Sequence, residues 1–102
     1  MPKCEVRILT PAWNDLDRIS EFHLRAVGPN SAEKITDKIL DTIALLGDNP
    51  LLGALHPDTV LAQNNYRKIL CDNYVCVYRM IGQTVYVYRI VHGATAYPKL
   101  FY

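Results

Sequence analysis

The sequence predicts a single α+β domain over residues 1–102, with the element order β-α-α-β-β-β and a helical hairpin packed on one face of an antiparallel sheet. Three observations favour this class. Apolar residues recur every three or four positions through the first half of the chain, which is typical of amphipathic helices. From Tyr66 onward β-branched and aromatic residues dominate, and two turn signals divide them into three strands. No repeat or linker separates the two halves, so we expect one domain.

The first strand and first helix follow directly from the pattern. Glu5–Thr10 alternates between apolar and polar residues, which predicts a strand. Thr10 is a suitable N-cap, with Pro11 at the first helical position and Asp15 near the positive helix start. The helix extends to about Val27, and its inner stripe is Ala12, Leu16, Ile19, His23 and Ala26. We therefore expect His23 to be a core histidine.

A second helix follows after a short connection, so the two helices must lie antiparallel. Asn30 or Ser31 can cap it, and Gly47 closes it. Its apolar positions again have helical spacing: Ala32, Ile35, Ile39, Ile43 and Leu46. Residues 48–65 show no sustained period and are interpreted as a loop containing His56, with a short helical turn around Thr59–Gln63 as the alternative.

Three further strands are predicted as a meander over Tyr66–Cys71, Tyr74–Ile81 and Thr84–His92. Asp72-Asn73 and Gly82-Gln83 are the turns between them. The first strand, near the N-terminus, is expected to join an edge of this sheet.

A two-residue turn at Gly82-Gln83 decides which side chains share a face. It pairs Arg79 with Tyr86, Val77 with Tyr88 and Val75 with Ile90. One face then carries Arg79, Tyr86, Tyr88 and His92, whereas the more apolar set, which includes Tyr74, Arg89 and Val91, is assigned to the helices. A two-residue Asp72-Asn73 turn adds Lys68 to the former face, and a three-residue turn adds Arg67 instead. Rings among cations are typical of a nucleic-acid or protein surface, although tyrosine is also common in ordinary strands.

Composition excludes several classes of protein. Eleven basic and ten acidic side chains give a net charge of +1, which excludes a polybasic protein. The longest apolar run, Tyr74–Tyr78, is far too short to span a membrane, and residues 1–10 lack the apolar run of a secretory signal. The three cysteines cannot all pair and have no C-x-x-C spacing. We therefore expect a cytoplasmic protein with reduced thiols, no metal, no cofactor and no membrane partner.

Five strings of this sequence match one family in order and spacing. They are T-P-A-W-N-D-L-D-R-I (Thr10–Ile19), N-P-L-L-G (Asn49–Gly53), Y-R-K-I-L-C-D-N-Y-V-C-V-Y-R (Tyr66–Arg79), V-Y-V-Y-R-I-V-H-G (Val85–Gly93) and Y-P-K-L-F (Tyr97–Phe101). Together they cover nearly the whole chain, which resembles the RelE/ParE superfamily of toxins from type II toxin–antitoxin modules, the addiction or plasmid-stabilisation modules. The resemblance implies a toxin that arrests growth when free and is neutralised by an antitoxin in a hetero-oligomer.

The superfamily has two known modes of action. RelE-like members cleave mRNA on the ribosome without a metal, using basic residues and a tyrosine near the C-terminus, whereas ParE-like members poison DNA gyrase. Uncharged residues, Ile69, Val75, Thr95 and Ala96, stand where nuclease relatives commonly carry charge. This favours ParE-like or other non-nucleolytic action. A ribosome-dependent endoribonuclease is the alternative, and an inactive antitoxin-binding relic is a further one, so whether the chain is an enzyme stays open.

The resemblance and the predicted cationic, aromatic sheet face together nominate site residues. Arg67, Arg79, His92 and Tyr97 are the candidate catalytic residues, with His92 as general acid or base and Tyr97 stacking on a base. Lys68, Tyr86, Tyr88 and Lys99 are the candidate partner-binding residues. Structural roles are the competing interpretation: His92 would cap a strand, Tyr97 would cover the sheet edge and Lys99 would be solvated.

Overall fold

Two long helices pack against one face of a five-stranded sheet in the computed structural model, which describes residues 4–102. The strands are β1 (Glu5–Ile8), β2 (Ala54–Leu55), β3 (Arg67–Cys71), β4 (Tyr74–Ile81) and β5 (Thr84–His92), and the helices are α1 (Thr10–Ala26), α2 (Pro29–Asp48) and α3 (Thr59–Gln63). A 3-10 helix follows over Tyr97–Phe101. The α+β class and the helical hairpin are confirmed. Residues 1–3 lie outside the described range, so the predicted lack of a secretory signal stays a prediction there.

The helices bury the stripes that their spacing predicts. All five apolar positions of α2 are buried, and so are Ala12, Leu16 and Ile19 of α1, whereas His23 is half-buried and Ala26 is exposed. The predicted N-caps are wrong by one to three residues, since Gly28 caps α2 in place of Asn30 or Ser31. Leu9 is the N-cap of α1, because its carbonyl oxygen already accepts the amides of Ala12 and Trp13. No helix among residues 4–102 is long and apolar enough to cross a membrane.

The sheet is mixed rather than antiparallel, with the strand order β1-β5-β4-β3-β2. β1 lies at an edge as predicted, but it pairs with β5 in parallel. The cause is topological: α2 returns the chain to the end where β1 begins, and there the Cys4 amide donates to the Gly47 carbonyl at 2.9 Å. Three antiparallel strands from that end leave β5 running in the same direction as β1.

The predicted loop between α2 and β3 contains two short elements. α3 matches the helical turn weighed as the alternative, and the Asp58 side chain caps it by accepting from the Leu61 amide at 3.1 Å. β2 was not predicted, because two residues are too few to show an alternation. It pairs with β3 through Ala54 opposite Lys68 and Leu55 opposite Arg67.

A β-bulge in β5 corrects the predicted cross-strand pairs. Tyr78 pairs with Val87 but Val77 pairs with Arg89, so Tyr88 is the extra residue. Beyond the bulge the alternation of β5 is shifted by one position. The predicted pairs of Val77 with Tyr88 and of Val75 with Ile90 are therefore wrong, although Arg79 opposite Tyr86 is confirmed.

The buried side chains form two clusters, one on each side of the sheet. The larger lies between the helices and the sheet and includes Tyr74, Tyr78 and Ile90. The smaller lies on the opposite side and consists of Val75, Val77, Val91 and Tyr97. Val91 is thus on the side away from the helices, contrary to its predicted assignment. Cys71 and Cys76 belong to the larger cluster, and burial raises the pKa of the Cys76 thiol to about 12.

Candidate functional site

The sheet face opposite the long helices, which we call the outer face, carries cations among aromatic rings. Lys68, Val77 and Arg79 are on this face of β3 and β4, and Arg7 and Tyr86 continue it across β1 and β5. The Asp72-Asn73 turn has two residues, because Cys71 pairs with Tyr74. Of the two registers left open by the sequence, the structure therefore has the one that places Lys68 on this face.

The chain's own C-terminal segment covers part of the outer face. The 3-10 helix lays Tyr97 against Val75, Val77 and Val91, so that the Tyr97 residue is only 7% exposed. Phe101 adds a partly buried contact and lies edge-on to Tyr66, with 5.1 Å between ring centres. The sheet face that was predicted to be open is therefore partly covered. Tyr97 is one of the residues that cover it, as the competing interpretation of this residue has it.

A buried histidine holds Tyr97 in place. His56 is 4% exposed, and its Nε2 lies 2.7 Å from Tyr97 Oη. Its Nδ1 accepts the Asp58 amide at 3.0 Å, so a neutral ring carries its proton on Nε2 and donates to Tyr97. Desolvation, with a further contribution from Lys68, lowers the pKa of His56, whereas Asp58 opposes the shift.

We expect this histidine to make the protein less stable in mild acid. The unfolded chain takes up a proton near the ordinary histidine pKa of about 6.5, but folded His56 does so only at a lower pH. The stabilising contribution of neutral His56 is therefore complete above about pH 6.5, and it is lost as the pH falls from there through the folded pKa. Thermal unfolding followed at a series of pH values should show a fall in Tm that is smaller in His56→Gln.

The exposed His92 supplies the matched control for that experiment. His92→Gln should keep the pH dependence of the wild-type protein, because this ring is not buried. An equal flattening in both variants would contradict the assignment to His56.

Arg79 is occupied by neighbouring groups on the outer face. Its Nε donates to Tyr88 Oη at 2.8 Å, and its guanidinium carbon lies 4.7 Å from the Tyr66 ring centre and 5.1 Å from that of Tyr88. Nη1 also reaches the Asn64 carbonyl oxygen at 3.4 Å. The hydrogen bond that Arg79 donates to Tyr88 raises the pKa of Arg79, so the side chain is a fixed cation.

The other two candidate catalytic residues lie on the helix side of the sheet. Arg67 has the same orientation as Ile69 and Cys71, and its Nε donates to the Gly53 carbonyl oxygen at 2.9 Å. His92 pairs with Tyr74, and their rings are edge-on at 5.7 Å. The prediction that His92 shares a face with Arg79 is therefore wrong, and the bulge at Tyr88 is the reason.

The uncovered part of the outer face lies towards β1. Tyr86 is half-buried between Arg7 on one side and Arg79 on the other, and Arg7 pairs with Glu5 at 2.9 Å. Lys99 is exposed on the 3-10 helix, and Lys68 is half-buried near His56. Sequence reasoning missed Arg7 because its place on this face depends on the parallel pairing of β1 with β5. It also missed Tyr66, whose position at the start of β3 was the only available signal.

No group of three metal-ligating side chains is brought together within residues 4–102. What the described residues offer is a cationic, aromatic sheet face, partly covered by the C-terminal segment. Its candidate catalytic residues are divided between two sides of the sheet.

Comparison with known proteins finds a family model and several solved structures that resemble this chain. The family model described as the ParE toxin of the type II toxin–antitoxin system, parDE, matches residues 6–97. The chromosomal ParDE toxin–antitoxin system from P. aeruginosa superposes with a TM-score of 0.76 at 22% identity, over 88% of this chain and 96% of that one. The RelBE2 toxin–antitoxin complex from Mycobacterium tuberculosis gives a TM-score of 0.59 at 24% identity, over 93% and 97% of the two chains. No curated protein sequence matches significantly.

Proposed function

Because this chain belongs to the ParE toxin family of type II toxin–antitoxin systems, we propose that it inhibits growth without cleaving RNA, with DNA gyrase as its target in the cytoplasm. The separation of the four candidate catalytic residues carries this proposal. Arg79 and Tyr97 lie on the outer face, whereas Arg67 and His92 lie on the helix side. The uncharged residues at positions 69, 75, 95 and 96 favour the same conclusion.

RNA cleavage needs its groups to converge on one phosphate. A base must activate the 2′-hydroxyl, a cation must stabilise the crowded phosphate, and an acid must protonate the leaving oxygen. The hydroxyl of Tyr97 is instead bound by buried His56, and Arg79 is bound by Tyr88. His92 lies on the opposite side of the sheet from Tyr97 and Arg79, where its ring contacts the ring of Tyr74. A nuclease mechanism would therefore require both the C-terminal segment and the sheet register to rearrange.

A gyrase assay tests this proposal directly. Purified chain added to DNA gyrase and relaxed plasmid should block supercoiling or trap cleaved DNA, and His92→Ala should act as strongly as the wild-type chain. The same two proteins added to translating ribosomes should leave the mRNA intact in primer extension. Ribosome-dependent cuts that disappear in His92→Ala would overturn the proposal in favour of the endoribonuclease. Normal growth on strong expression would instead favour the inactive relic.

The partner of the free toxin is proposed to be its antitoxin, in a toxin–antitoxin hetero-oligomer. Both structural neighbours were solved as toxin–antitoxin systems. The outer face offers Lys68, Tyr86, Tyr88 and Arg7, and the 3-10 helix adds Lys99. This positively charged and aromatic set is suited to an acidic antitoxin segment. Tyr86 is the central contact in this proposal, because it lies between two arginines beyond the covered region.

A further inference from the structure

A chain of hydrogen bonds links a serine, a histidine and a tyrosine where the two long helices meet the β3–β4 turn. His23 Nδ1 lies 3.1 Å from Ser31 Oγ, and His23 Nε2 lies 3.0 Å from Tyr74 Oη. The three residues come from α1, α2 and β4, so the packing of the helical hairpin on the sheet brings them together. Neither the outer face nor the proposed action on gyrase uses them.

The serine and the histidine line a groove of about 580 Å³ between the two long helices and the β3–β4 turn. Val27 and Ile35 give this groove an apolar wall, and Lys34 and Lys38 give it a cationic one. Lys38 is neutralised by Asp72 at 2.7 Å, whereas Lys34 makes no ion pair within residues 4–102. Lys34 follows Ser31 by one helical turn, so its charge is available near the serine hydroxyl.

We propose that Ser31 is a nucleophilic serine that accepts the acyl group of a small ester, with His23 as its general base. A nucleophile bound to a base, and a base bound to a third group that orients it, is the arrangement that activates serine in acyl transfer. Tyr74 is the positioning residue. The apolar wall suits a short acyl chain, and Lys34 suits the negative charge that develops on the carbonyl oxygen.

The role of general base fixes the proton positions in the two hydrogen bonds of His23. The reactive tautomer carries its proton on Nε2 and donates it to Tyr74 Oη, which leaves the Nδ1 lone pair free to accept the Ser31 proton. Burial raises the pKa of Tyr74, so the phenol stays neutral and serves as an acceptor. The Tyr74 ring also lies edge-on to the ring of His92, with 5.7 Å between the ring centres.

The reaction balances with the ester and one water molecule as its only reactants. Ser31 Oγ forms a bond to the ester carbonyl carbon as its proton passes to His23 Nδ1, and the carbonyl oxygen becomes an oxyanion near Lys34. Collapse of this intermediate breaks the bond to the leaving alkoxide, which takes the proton from His23 and departs as an alcohol. Water enters by the same route and releases the acid, which restores Ser31.

The test uses the full chain and p-nitrophenyl acetate as the probe. Nitrophenolate should appear as a burst, and peptide mapping by mass spectrometry should find the acetyl group on Ser31. Ser31→Ala should abolish the burst, whereas Ser20→Ala, at the other serine of the chain, should keep the wild-type rate. His23→Gln should slow it by roughly 100-fold or more, the usual effect of losing a general base.

Two measurements separate catalysis from a merely structural hydrogen-bond chain. The wild-type burst rate should rise with pH, because only a base with a free lone pair can accept the Ser31 proton. Tyr74→Phe should slow the burst and change its pH dependence, whereas loss of a structural contact alone would lower Tm and leave the pH dependence of the burst as in the wild-type chain. A pH-independent burst, or acetyl groups on lysines but not on Ser31, would overturn the proposal. Neither of these two outcomes changes the result expected in the gyrase assay, so the two proposals can fail independently.

Discussion

Replacing Asp15 with alanine should destabilise the protein by about 3–5 kcal/mol, the usual result of removing one partner of a buried ion pair. Its side chain is 6% exposed and accepts from Arg89 Nε at 2.7 Å and from Arg89 Nη2 at 2.9 Å. The same carboxylate accepts the Ile90 amide at 2.9 Å. The variant would leave a partly buried guanidinium and a buried amide without this partner, and Tm should fall far enough to be measured by circular dichroism.

The ion pair also completes the edge of the sheet. β1 ends at Ile8, opposite Val87, so from there onward β5 has no strand on the side away from β4. The Leu9 amide donates one last hydrogen bond to the Val87 carbonyl oxygen at 3.0 Å. Beyond that point the Asp15 carboxylate, instead of a neighbouring strand, accepts the hydrogen bond of the Ile90 amide. This arrangement fixes α1 against β5.

Two variants control the Asp15 experiment. Asp17→Ala changes an exposed carboxylate on the same helix and should alter stability by no more than about 0.5 kcal/mol. The double variant Asp15→Leu, Arg89→Met removes both charges, so it should recover much of the loss. If Asp15→Ala cost no more than Asp17→Ala, the carboxylate would not be the anchor between α1 and β5.

Local signals were sufficient to predict most of the fold. The Gly82-Gln83 and Asp72-Asn73 turns set the limits of β4 and β5, which the structure reproduces. The regular spacing of apolar residues in α2 predicted its buried stripe in the same way. The direction of β1 could not be predicted, because it depends on where the helical hairpin returns the chain. Asp15 was expected to interact with the helix start, and its actual partner is 74 residues away in sequence.

The candidate site was harder to predict, because a single bulged residue decides which side chains of β5 lie on the outer face. Tyr88 forms the bulge, and neither a glycine nor any other local sequence signal in the strand indicates it. That single insertion moves His92 to the helix side and Val91 to the outer face. The burial of Tyr97 was equally hidden, because it depends on His56, which lies 41 residues earlier in an irregular segment. Periodicity describes one strand at a time, whereas both features arise between distant segments.

Gly53 lies at the most crowded point of the connection between α2 and β3. Its amide donates to Tyr78 Oη at 3.0 Å, and that hydroxyl donates to the Pro50 carbonyl at 2.7 Å. Its own carbonyl accepts from Arg67. A side chain at this position has no room, since a Cβ would collide with the Lys68 carbonyl oxygen and lie 2.7 Å from Tyr78 Oη.

Gly53→Ala should therefore destabilise the protein by about 1–3 kcal/mol, because the collision is with backbone that cannot move freely. For a domain of this size each kcal/mol lowers Tm by roughly 4–8 °C. The damage should be local as well: the His56 amide, which donates to the Tyr66 carbonyl at 2.9 Å, should exchange faster with solvent deuterium. Gly93→Ala is the matched control, because a Cβ there would lie 3.4 Å from the nearest atom, the Asn73 carbonyl oxygen. Equal losses of Tm in the two variants would contradict the close approach of β2 and β3 at Gly53.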